Sequence, residues 1–122
     1  MRIGELGERV GVSTRALRHY EELGLLPARR RSNGYREYDE QDVALVAEIR
    51  SLVGLGFSLE DTRPFVACLQ AGHATGASCA DARAVHRRKL SEVDAWIARL
   101  EQVRTQIAAQ LAPPRCEFTE QT

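Results

Sequence analysis

The sequence predicts a mainly α-helical chain: a small N-terminal domain of short helices with a β-hairpin wing, then one long coiled-coil helix. Three observations predict it. Apolar residues recur at helical spacing in four short blocks before residue 71, with glycines or capping residues between them. Asn33-Gly34 sits between the second and third blocks, and a type I′ hairpin turn needs positive φ at both central residues. From residue 80 an unbroken 3-4 apolar repeat takes over. The expected divisions are a domain over 1–71, a linker over 72–79, a coiled-coil helix over 80–112 and a tail over 113–122.

The first helix is expected over 2–10, where Ile3, Leu6 and Val10 share a face, and Gly11 is a natural C-terminal stop. Ser13 or Thr14 caps a second helix over about 14–23, with Ala16, Leu17, Tyr20 and Leu23 on one side. Two short helices joined by a tight glycine turn have the form of a helix-turn-helix, whose second helix enters the DNA major groove. Leu25-Leu26-Pro27 breaks helical geometry, and short strands around Asn33-Gly34 would form a wing. Asp39 is positioned to cap a third helix over about 40–55, with Val43, Val46, Ile49, Leu52 and Val53 facing a core. A fourth helix is expected over about 59–71, beginning late or kinked at Pro64. The small, polar run GHATGAS reads as a linker.

In the long helix, Leu90, Val93, Ile97, Leu100, Arg104, Ile107 and Leu111 follow 3-4 spacing, and six of these seven positions are apolar. A helix of about 48 Å is too long to pack wholly on so small a domain, so its stripe predicts a partner, most simply a second copy of the chain. His86 extends the seam at its start and Trp96 flanks it. Pro113-Pro114 ends the helix.

The 122 residues carry 17 basic and 17 acidic side chains, which excludes binding of polyanions by bulk charge. The balance is uneven along the chain. Between Arg9 and Arg36 seven arginines face two acids, a local charge of +5, and Glu37 to Glu48 holds five acids and no basic residue. A hydrophobic fraction of 43% argues against disorder. No apolar run approaches the roughly 18 residues of a membrane span, and the N-terminus has no signal-peptide core. Three scattered cysteines are too few for a disulfide framework, which points to the cytoplasm. Phosphate-loop, HExxH and paired-carboxylate motifs are absent from the sequence, so no enzymatic chemistry is expected.

The joined string VSTRALRHYEELGLL…NGYREY, with GFSLEDTR and KLSEVDAWIARLE after it, resembles the MerR family of bacterial transcription regulators. The resemblance covers about nine-tenths of the chain. His19 departs from it, standing where tyrosine is commoner. The resemblance implies a homodimer with a winged helix-turn-helix at each end and an antiparallel coiled coil between. It implies a pseudo-palindromic promoter operator, bent and untwisted so that both promoter elements face RNA polymerase. It also implies that positions matching Thr14, Arg18, Tyr20, Tyr35 and Arg36 meet DNA, mostly its backbone.

Arg15 opens the recognition helix, where base edges are read, and Arg18 follows one turn later; arginine reads guanine O6 and N7 or pins a phosphate. The competing reading pairs Arg18 with Glu21 or Glu22. His19 completes the candidate face, Tyr20 is equally a core residue, and Arg29, Arg30 and Arg31 stand where flanking phosphates would lie. Tyr38 is expected to pack the wing onto the domain.

Cys79 precedes the long helix and Cys116 follows it. In an antiparallel dimer the two would approach one another across chains, as the thiolates of the family's metal sensors do. Such a pair suits Zn, Cd, Hg or Cu(I) bound between protomers, with His73, His86 or Glu117 as further ligands. Those sensors usually have two cysteines beyond the helix, and this chain has one. The same pair would equally serve as an inter-chain redox switch, or be inert. Cys68, among Phe65, Val66 and Leu69, reads as a core residue. The large effector domain of drug-sensing members is not expected. Two further readings remain: an architectural DNA-binding protein without a ligand, and a coiled-coil adaptor that binds protein.

Overall fold

The computed structural model describes residues 1–28, 34 and 37–113. In chain order its helices are α1 (Ile3–Val10), α2 (Thr14–Glu22), α3 (Glu40–Gly54), α4 (Arg63–Gln70) and α5 (Ala80–Leu111), with single 3-10 turns at Glu60–Thr62 and Gly76–Ser78. No strand occurs among the described residues. The expected wing lies outside them apart from Gly34, whose φ of 89° is the left-handed conformation a type I′ turn uses. The chain divides into two units, Met1–His86 and Arg87–Thr122.

Local chemistry sets the helix limits of the first unit. Gly11 stops α1 at φ 76°, returning its N–H to the Gly7 carbonyl at 2.8 Å. Ser13 caps α2, its Oγ accepting from the Ala16 N–H at 3.1 Å. Asp39 and Asp42 form a reciprocal capping box on α3: each backbone N–H donates to the other's carboxylate, at 3.0 and 3.1 Å. Pro64 falls in the first turn of α4, where its missing N–H breaks no helical bond, and the α-helix begins late, after a 3-10 turn, as one of the two expectations had it.

The core has two parts. Leu6, Leu17, Leu25, Leu26, Tyr38, Val46 and Ile49 lock α1, α2 and α3 together. Each leucine buried here contributes about 1.5–3 kcal/mol. Leu52, Phe57, Phe65 and Ala82 make the second cluster, with the two phenylalanine rings edge to face at 5.8 Å. His86 joins this cluster, its ring 4.8 Å from Phe65 and 5.6 Å from Phe57. Half-buried there, His86 packs on aromatic side chains of its own chain, a contact that the seam reading did not include. Tyr38 packs onto the domain as expected, and its phenol donates to the Glu21 carboxylate.

The segment read as a linker is packed. Gly76 is buried, and a Cβ there would stand 3.1 Å from Phe65 Cβ and closer still to the Glu48 carboxylate. Its small residues reflect close approach rather than flexibility. In the second unit α5 leaves Leu90, Trp96, Ile97, Leu100, Val103, Ile107 and Leu111 exposed. Lys89 bonds Glu92 at 3.1 Å and lies 5.4 Å from the centre of the Trp96 ring. No helix among the described residues is long and apolar enough to cross a membrane.

Candidate nucleic-acid interface

The turn between α1 and α2 is built on Gly7. The N–H groups of Gly11 and Val12 both donate to its carbonyl, at 2.8 and 3.0 Å. A Cβ on Gly7 would stand 2.5 Å from the Val12 carbonyl oxygen, so only glycine lets the turn close this tightly. That closure seats Leu17 of α2 in the core, fully buried beside Leu6.

With its inner face fixed, α2 turns Arg15, Arg18, His19 and Glu22 outward along a shallow concavity that Ser13 and Ala16 complete. Among the described residues Arg15 and Arg18 make no ion pair. The competing pairing of Arg18 with Glu21 or Glu22 is not formed: Glu21 takes the Tyr38 phenol, and Glu22 lies 3.6 Å from His19 Nδ1. The face thus presents two guanidinium groups that form no ion pair among the described residues, which suits phosphates and guanine edges.

Thr14 is half-buried at the first position of α2. Tyr20 is in the core with 8% exposure, and burial raises its phenol above the ordinary tyrosine value, against a smaller opposite effect of Arg50. Arg30, Arg31, Tyr35 and Arg36 lie outside the described residues, as do Arg29 and Cys116. Of the seam positions, Leu90, Ile97, Leu100, Arg104, Ile107 and Leu111 are exposed and Val93 is half-buried.

Two arginines have roles that the sequence pattern does not carry. Arg9, counted in the basic window, binds Glu40 at the start of α3 through both guanidinium ends, at 2.5 and 2.9 Å. Hydrogen bonding to Arg9 holds the Glu40 carboxyl below the usual range, and the same bond raises Arg9. Arg63 donates from Nη2 to the Leu23 carbonyl at 2.6 Å and from Nε to Glu60 at 2.8 Å, which satisfies the end of α2. The signal for Arg9 was the acidic start of α3; Arg63 had none, being 40 residues from its acceptor.

Cys79 is disulfide-bonded to Cys68 of the same chain, 11 residues away, with a Cα–Cα distance of 5.8 Å. Cys68 is buried, as the core reading expected, and it is also covalently engaged.

Comparisons with known proteins agree with this architecture. The family model described as MerR HTH family regulatory protein matches residues 1–67, and that described as MerR, DNA binding matches residues 43–110. The chain is 36% identical over 104 residues to the HTH-type transcriptional regulator HmrR of Rhizobium leguminosarum bv. viciae, covering 85% of this chain and 78% of that one. Among solved structures it is similar to the transcription regulator PbrR691 from Ralstonia metallidurans CH34 in complex with lead(II) (TM-score 0.69, 26% identity, 89% of this chain and 83% of that one). It is also similar to HiNmlR, a MerR family regulator lacking the sensor domain, bound to promoter DNA (TM-score 0.59, 25% identity, 92% and 83%). With each family model matching more than half the residues and a relative of 36% identity spanning most of the length, the chain belongs to the MerR family of helix-turn-helix transcription regulators.

Proposed function

We propose that this regulator is a cytoplasmic homodimer that binds a pseudo-palindromic promoter operator, one α2 helix per half-site. It bends and untwists the DNA so that RNA polymerase can engage both promoter elements. The observation that carries the reading is the outer face of α2, where Arg15 and Arg18 stand exposed, without an ion pair among the described residues, on a helix whose inner face is locked by Leu17. The exposed stripe of α5, from Leu90 to Leu111, supports pairing with a second copy, because an apolar row of this length is stable in water only when covered. The α2 arginines would position the protein and read base edges, and the deformation energy of the intervening DNA would add specificity where nothing touches the bases.

The signal is a thiophilic metal ion or thiol oxidation. The support is the lead(II) complex of PbrR691 and the similarity to the heavy metal-dependent transcription regulator 2 of Rhizobium meliloti, 32% identical over 104 residues. Once the Cys68–Cys79 bond is reduced, the thiols open to such a signal include Cys79 and, on the partner chain of an antiparallel pair, Cys116.

Selection from random duplexes, followed by a gel-phasing assay of the selected site, tests the proposal. The expected result is an inverted repeat that the protein bends, with the bend changed by the signal. An equal bend with and without metal or oxidant would favour an architectural protein. No enrichment of any inverted repeat would contradict the reading.

A further inference from the structure

We propose that the reduced chain holds a thiophilic metal ion, such as Zn(II), within one protomer, on the Cys68 and Cys79 sulfurs and the His73 imidazole. The ligand atoms of these three residues lie within 4.8 Å of one another. Two thiolates and an imidazole are a soft-to-borderline donor set suited to Zn(II) and its thiophilic neighbours. Two thiolates on one tetrahedral Zn(II) stand about 3.8 Å apart, within the reach of side chains whose Cα atoms are already close.

The local fold explains why His73 reaches this place. The chain leaves α4 through a Schellman turn: the Gly72 N–H donates to the Leu69 carbonyl at 3.0 Å, and the His73 N–H to the Cys68 carbonyl at 3.3 Å. Gly72 takes φ 94°, which a side-chain-bearing residue rarely adopts. The turn folds His73 back over the residue that supplies the first sulfur. The Thr75–Ser78 hydroxyl contact at 2.8 Å and the buried Gly76 then carry the chain to Cys79, next to the first residue of α5. Cys68 is fixed in the core, Cys79 is half-buried and His73 is exposed, so an ion has an open approach from the histidine side.

Metal and disulfide exclude one another. Reduction by a dithiol transfers two electrons and two protons to the Cys68–Cys79 bond, breaks it into two thiols and leaves the dithiol as its own disulfide. Metal binding then releases both thiol protons. Either state clips the end of α4 to the start of α5; the fully reduced, metal-free chain has no such clip. The inference specifies the site of the proposed metal or thiol signal and assigns Cys79 to Cys68 and His73 rather than to Cys116. Its test does not depend on DNA binding.

The test is an anaerobic titration of the reduced full-length chain with Co(II), followed by Zn(II) displacement. Thiolate-to-cobalt charge-transfer absorption reports the sulfurs. The expected result is one ion per chain in the unsubstituted protein and in Cys116→Ser, and none in the oxidised chain. Cys79→Ser should lose the absorption, and His73→Ala should bind about tenfold or more weakly. Cys68→Ser should also lose it, and because Cys68 is buried, its circular dichroism must first match the parent. His73 is exposed, so His73→Ala keeps the test decisive if Cys68→Ser fails to fold. Unchanged affinity in His73→Ala would overturn the proposal, as would retention in Cys68→Ser with loss in Cys116→Ser. The last outcome would place the ion between chains and leave the regulator reading intact.

Discussion

Replacing Gly7 with alanine should destabilise the domain, although the same change three residues earlier should stabilise it. Both glycines lie in α1, where alanine is favoured over glycine by up to about 1 kcal/mol. At Gly4 an added Cβ meets nothing within 4 Å, so Gly4→Ala should gain about 0.5 kcal/mol. At Gly7 it would stand 2.5 Å from the Val12 carbonyl oxygen and 3.5 Å from Leu17 Cδ1. The oxygen is backbone, held in a turn whose two N–H groups are bonded to Gly7 itself, so relief requires α1 and α2 to move apart. Overpacking of this kind costs about 1–3 kcal/mol and outweighs the helix-propensity gain. With a net loss of about 1–2 kcal/mol, the melting temperature should fall by about 5–10 °C for a domain this size. The assay is thermal denaturation by circular dichroism of the parent and both variants at one fixed protomer concentration, because the proposed dimerisation would make melting concentration-dependent. A Gly7→Ala protein that melts at or above the parent would refute the close-approach argument and the turn geometry behind it.

Other consequences can be checked in the same preparations. Asp39→Ala removes half of the α3 capping box and should cost about 1 kcal/mol, read as a lower urea midpoint at unchanged slope; no change would mean the box is not a stabilising contact. Burial raises the Tyr20 phenol, so its contribution is fully present below the unfolded value near about 10 and is lost as pH rises through the higher folded value. Tyr20→Phe should therefore flatten the alkaline fall in stability, and a parent with no such fall would count against the burial. Ile97→Glu puts a charge into the exposed stripe of α5 and should convert a dimer to monomer in light scattering without loss of helicity in the first unit. A dimer that survives Ile97→Glu and Leu100→Glu together would move the interface elsewhere.

Much of this architecture was legible because its determinants are local. Helical spacing, Ser13, Asp39 and the glycine stops placed α1, α2 and α3 within about a residue of their limits, and the 3-4 repeat placed α5. Arg15 and Arg18 were legible for the same reason, as outward positions on an amphipathic helix. What escaped depends on long-range closure. The Cys68–Cys79 pair is made by a turn at Gly72 and a buried glycine, and the GHATGAS run that contains both looks in sequence like a flexible spacer. His86 continues the 3-4 spacing of the seam, and only the three-dimensional positions of Phe57 and Phe65 show its ring contacts with them. Arg63 and Leu23 are joined by a contact that no periodicity encodes.

The central claim, that the outer face of α2 binds promoter DNA as a pair of half-site readers, is tested most directly by fluorescence anisotropy. Parent, Arg18→Ala and Arg15→Ala proteins would be titrated against the selected duplex and a scrambled one over a range of salt. A lost arginine contact costs about 1 kcal/mol or more at each of two half-sites, so affinity should fall by about thirtyfold or more. For an arginine on a phosphate the slope of log affinity against log salt would also become shallower. Arg18→Ala and Arg15→Ala proteins that both bind the selected duplex as tightly as the parent, with the same salt slope, would contradict it.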